Sequence, residues 1–77
     1  MTALYRMFDA EERLLYVGIT VDIVTRFRSH RTIKPWWTDI TMIRLEHFPD
    51  RSAARAAELA AIKSERPRYN IADAPPQ

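Results

Sequence analysis

The chain has 77 residues, of which 47% are hydrophobic and 29% charged, with no cysteine and a formal net charge of +2 at pH 7. A disulfide framework and a thiolate zinc site are therefore excluded, the composition is that of one folded domain with a small core, and no run approaches the roughly 18 apolar residues of a membrane span. The opening Met1-Thr2-Ala3 lacks the charged and apolar regions of a secretory signal, so a cytoplasmic protein with no membrane partner is expected.

Ala3 to Phe8 and Arg13 to Val17 are short runs rich in aromatic and branched residues, and the polar Asp9 to Glu12 between them completes a predicted β-hairpin. Gly18, the only glycine, closes the triplet Tyr16-Val17-Gly18. Against an average glycine content of about 7%, a single copy marks a backbone position few other residues can fill, read here as a turn. Asp22 is a good N-cap, and Ile23, Phe27 and His30 then recur at helical spacing, which predicts a helix over 22 to 31. No acidic residue lies between Asp22 and Asp39, whereas Arg26, Arg28, Arg31 and Lys34 do, with His30 among them. That segment is either a local basic patch suited to a nucleic-acid partner or a solvated helix face.

Pro35-Trp36-Trp37 interrupts the helical pattern, and the β-branched, alternating Ile40 to Phe48 predicts a third strand. Pro49-Asp50-Arg51-Ser52 then offers helix-start chemistry. Ala53 to Glu65, with six alanines plus Leu59 and Ile62, is the strongest helical segment, and its alanines permit close packing on a sheet. Pro67 ends it. Tyr69-Asn70-Ile71 can lay one more short segment on the core, before a proline-containing tail. The resulting fold class is α+β, a small three-stranded antiparallel sheet flanked by helices, with one domain over 1–72 and a tail over 73–77.

Several residues have two readings on their own. A strand tyrosine such as Tyr5 or Tyr16 is a packing residue or a phenol presented to a phosphate. Arg26 is a surface cation or a planar guanidinium able to grip two phosphate oxygens. His30 is a half-buried structural histidine or a proton carrier. Glu58, in its run of alanines, is solvated or is the one polar group aimed inward. Trp36 and Trp37 cap the core, one buried and one half-exposed, or stack on bases.

Taken in order, these pieces resemble the GIY-YIG nuclease domain. Leu4-Tyr5 followed by Arg6-Met7-Phe8-Asp9 is similar to the first half of its signature and Tyr16-Val17-Gly18 to the second; Arg26, His30, Glu58 and Pro67-Arg68-Tyr69-Asn70 continue the match, which runs from Ala3 to Ile71. The resemblance implies a metal-dependent endonuclease that hydrolyses DNA phosphodiester bonds, one strand per active site. In it Tyr5 is the general base, Tyr16 assists or orients, Arg26 and His30 attend the phosphate, Glu58 is the single ligand of Mg²⁺ or Mn²⁺, and Gly18 and Asn70 support the site. Arg28, Arg31, Lys34 and Trp36 are the expected nucleic-acid contacts. Repair, restriction and mobile-element settings all share this domain, as monomer or homodimer, with specificity drawn from a partner protein or a larger parent chain.

The first motif departs mildly, as Ala3-Leu4-Tyr5. More seriously, Ile19 stands where the excision-repair branch carries a lysine near the tyrosines, and a phenol ordinarily titrating near pH 10 then needs positive charge from Arg28, Lys34 or the metal. Two other functions fit the same residues: a catalytically weak or silent nucleic-acid-binding module, and a plain interaction domain.

Overall fold

A computed structural model describes residues 1–73. Three antiparallel strands, β1 (Thr2–Phe8), β2 (Leu14–Thr20) and β3 (Met42–Phe48), form one sheet in the order β2-β1-β3. Between β2 and β3 the chain forms α1 (Ile23–Ile33) and a 3₁₀ turn over Pro35–Asp39, and after β3 it forms α2 (Arg51–Glu65) and a short α3 (Arg68–Asp73). This is the expected α+β class. Of the expected tail at 73–77, all but Asp73 lies outside the described residues.

Local chemistry accounts for the boundaries. Asp22 and Asp50 cap α1 and α2, their carboxylates accepting from the backbone N–H of Thr25 and Ala53, which satisfies donors that have no partner inside a helix. Arg66 ends α2 in the left-handed conformation at φ 51°, and the buried Pro67 cannot prolong it. In the hairpin loop Asp9 accepts from the backbone N–H groups of Glu11 and Arg13 and from Arg13 Nε, the way an aspartate organises a turn.

β2 runs three residues further than the sequence reading. Gly18 is no turn residue: it sits within the strand directly opposite Tyr5, and its φ is not positive. What requires glycine is space. A Cβ added there would lie 2.4 Å from the Tyr5 hydroxyl oxygen and 2.5 Å from its ring carbon Cζ, far inside van der Waals contact, so the missing side chain is the slot into which the Tyr5 ring lies.

Side chains alternate across the sheet, and the two faces carry different cores. On one, Leu4, Val17 and Ile19 pack against Ala54 and Ala61 of α2, with Ala57 and Ile62 beside them; small residues let this helix lie close on the strands. On the other, Tyr5, Met7 and Trp36 pack with Tyr16, Phe27, Trp37, Ile40, Ile43 and Tyr69. One core is aliphatic and the other largely aromatic. Arg6, on the α2 side of β1, is held bidentately by Glu65 at 3.0 and 2.9 Å, tying β1 to the end of α2.

Candidate active site

The register places Tyr5 opposite Gly18 and Tyr16 opposite Met7, so the two tyrosines project diagonally from neighbouring strands on the aromatic face. Their ring centroids are 6.2 Å apart. α1 lies over them and inserts His30, whose ring centroid is 5.8 Å from that of Tyr5 and 5.0 Å from that of Tyr16. His30 is buried, and its Nε2 lies 2.8 Å from the Tyr5 hydroxyl. Residues 5, 16 and 30 thus meet in one cluster.

Electrostatics at Tyr5 run opposite to what an easily ionised phenol needs. Burial, with 1% of the residue exposed, pushes its pKa well above the usual range, and Tyr16 and Glu58 push the same way. Arg26 is the cation that pulls it down. The phenol therefore keeps its O–H at neutral pH, and it donates that proton to His30 Nε2 in the tautomer that carries the imidazole hydrogen on Nδ1. Ile19 cannot stand in for the family lysine even by position: its side chain is buried in the aliphatic core, on the other side of the sheet from Tyr5.

Arg26 is exposed on the flank of α1, along a groove with Thr20, Asp22, Thr25 and Ser29. Glu58 is one of the two readings resolved: it points inward, 8% exposed, on the face of α2 that carries Ala54 and Ala61. Both Arg26 and Glu58 act electrostatically on the Tyr5 hydroxyl, although Glu58 is carried by α2, which packs on the aliphatic face of the sheet. Glu58 is ion-paired with Arg55, which is mostly exposed. That partner was missed in the sequence, although the i, i+3 spacing on a helix is the signal for it.

Asn70 is placed by α3 against the free edge of β2. Its Oδ1 accepts from Val17 N–H at 2.7 Å and its Nδ2 donates to Val17 C=O at 2.8 Å. The carboxamide thus closes the edge of the strand that carries Tyr16, and Tyr69 beside it stacks on Trp36 at 4.8 Å and 6°.

The predicted nucleic-acid contacts separate. Trp36 is a core residue, 5% exposed and packed between Tyr69 and Tyr16, so it offers no face to a base; the half-buried ring is Trp37. The basic run is not one patch either. His30 is buried and Lys34, half-buried, caps α1 through its backbone. Arg26 lies along one groove, and Arg28 and Arg31 line another with Val24, Phe27 and Trp37. Helical geometry forces this, because residues 26 and 28 differ by about 200° around the axis.

Among the described residues no group of three or more His, Cys, Asp or Glu side chains could hold a metal ion. A lone carboxylate remains. That fits a hard ion such as Mg²⁺, which commonly keeps several waters and takes one or two carboxylates plus substrate oxygens, and it does not fit a cage built wholly from protein.

A small α+β domain that clusters two tyrosines and a histidine under a helix bearing an exposed arginine is the class that fold and site define. A family model described as the GIY-YIG catalytic domain matches residues 1–70, and the chain belongs to that family of nucleases, which are generally metal-dependent. It is also 36% identical over 74 residues to UvrABC system protein C of Anaplasma phagocytophilum (strain HZ), a match covering 87% of this chain and 12% of that protein. No helix among the described residues is long and apolar enough to cross a membrane.

Proposed function

We propose that this domain is a metal-dependent endonuclease acting on DNA, cutting one strand per active site. The observation that carries the reading is the hydrogen bond of buried Tyr5 to His30 Nε2, within electrostatic reach of Arg26 and Glu58. A phenol kept neutral by burial is a poor base alone. With His30 behind it, the Tyr5 oxygen takes a proton from the attacking water as its own proton passes to Nε2, so no free phenolate is needed. Tyr16, the less buried of the two phenols, orients the water.

Negative charge then builds on the non-bridging oxygens of the phosphate. The Arg26 guanidinium, exposed and planar, is suited to hold two of them. Glu58 would hold the Mg²⁺ or Mn²⁺, with Arg55 released from it; such an ion supplies charge for the leaving oxygen and offsets the Glu58 carboxylate that otherwise opposes ionisation of Tyr5. Gly18 and Asn70 keep the two tyrosine strands in place. The single domain spans 1–72, and a larger parent chain or partner protein would supply specificity.

A second reading, a binding module that turns over slowly or not at all, is favoured by the burial that raises the Tyr5 pKa. Supercoiled plasmid incubated with the protein and Mg²⁺ or Mn²⁺ separates the two. Nicking that stops with chelator and in Glu58→Ala supports the enzyme; salt-sensitive binding without nicking supports the module.

A further inference from the structure

We propose that Trp37, with Arg28 and Arg31, forms a subsite for an unpaired base of the substrate strand, a few nucleotides from the bond that is cut. The inference rests on the reading of the domain as acting on nucleic acid, and extends it to the structure of the substrate.

Trp37 stands between two grooves. One is walled by Val24, Phe27, Arg28 and Arg31 and the other by Ile40 to Ile43, with Trp37 common to both. The ring is braced from within: it lies parallel to His30 at 6.4 Å and 9°, and Phe27 packs against it at 6.0 Å. A large aromatic held in place by two others and only partly buried is poised to give a stacking face at little cost in side-chain entropy. Beside it, Arg28 and Arg31 are exposed cations one helical turn apart, in a stretch from 23 to 38 that contains no acidic residue. Stacking surface plus paired guanidinium groups is the combination that single-stranded nucleic acid selects, because every base has a π-face and every link a negative charge.

A base within a duplex is already stacked on both sides, so only an unpaired or extruded nucleotide can use the ring. Position gives a distance. Arg26 and the Trp37 groove lie on opposite flanks of α1, whose diameter with side chains is about 10–12 Å, so a strand held at both crosses the helix and spans a few nucleotides.

The test uses the whole chain, a short single-stranded oligothymidylate and a blunt duplex. Binding of the single strand should quench tryptophan fluorescence; Trp37→Phe should abolish the quench and keep most of the affinity. Trp37→Ala should weaken single-strand binding about 5- to 150-fold, the range corresponding to one stacked base, with little change for the duplex and an unchanged salt slope. Arg28→Ala or Arg31→Ala should instead flatten the slope by about 0.7 each, as lost phosphate contacts do for single strands. Circular dichroism confirms that each variant is folded. Wild-type single-strand affinity in folded Trp37→Ala, or a quench that persists in Trp37→Phe, overturns the subsite even if plasmid is nicked, which leaves the nuclease reading intact. A Trp37-dependent quench and affinity without nicking upholds the subsite and sinks the hydrolase. Failure to bind either oligonucleotide, as expected if a protein partner covers Trp37, overturns both.

Discussion

The two faces of the sheet are built from alternate residues of the same strands yet do different work. Leu4 faces α2 and meets alanines and branched aliphatics; Tyr5, the next residue, faces α1 and meets rings that carry an oxygen or a nitrogen. The first face is built chiefly from apolar contacts, alongside the inward Glu58 and the Arg6–Glu65 pair. The second buries polar atoms as well, and among the described residues no buried side-chain nitrogen or oxygen lacks a hydrogen-bond partner. A largely apolar core on one face lets the site on the other tolerate costly buried groups, since most of the first face's contacts carry no such cost.

This contrast can be broken from either side. Leu4→Ala should have the largest effect on folding, about 2–5 kcal/mol for a fully buried leucine, while the protein that remains folded keeps its site; denaturant unfolding beside single-turnover rates will tell. Arg26→Ala should do the reverse, lowering the rate about 10²–10³-fold as loss of an oxyanion partner does, with unfolding almost unchanged because the residue is exposed. A loss of rate in folded Leu4→Ala as large as in Arg26→Ala would erase the distinction between the faces.

Gly18→Ala comes next. The added methyl falls on the Tyr5 hydroxyl and ring, and that ring is hemmed in, so overpacking of about 1–3 kcal/mol is expected, read as a fall in Tm of about 4–8 °C per kcal/mol for a domain of this size. Pairing it with Tyr5→Ala should cost less than the sum of the two changes, since the clash needs both partners. Strict additivity would mean that the slot is not what demands glycine.

The smallest expected effect lies outside both cores. Hydrogen bonding from Arg6 lowers the pKa of Glu65 from its ordinary value of 4.5, so its stabilisation is present above that pH and is lost as pH falls through the lower folded value. Glu65→Gln should cost under about 1 kcal/mol at neutral pH, given partial exposure, and flatten the acid limb of a stability-against-pH curve. An unchanged acid limb would show that the pair contributes nothing measurable.

Much of this was legible in the chain because the deciding signals are local. Asp22 and Asp50 announce their helices within three residues, and the alanines of α2 and the branched residues of β3 declare their elements by composition. The order of motifs was enough to place the family. What escaped reading depends on contacts between distant residues. Gly18 reads as a turn residue in the sequence because nothing nearby shows that a tyrosine thirteen residues earlier fills its missing side chain. Glu58 could be read as solvated or inward until α2 was laid on the sheet. Trp36 and Trp37, adjacent and identical, differ only in which one the 3₁₀ turn aims at Tyr69, and a basic run written on one line becomes two flanks once wound into a helix.

A last consequence follows from the Asn70 carboxamide. By occupying both polar groups of Val17, one side chain does the job of a missing neighbour strand and leaves that margin of the sheet a poor place for another chain to attach. Versions of the protein trimmed upstream of position 70 would present a ready template for unwanted self-association, so a shortened form that clumps need not have lost its core.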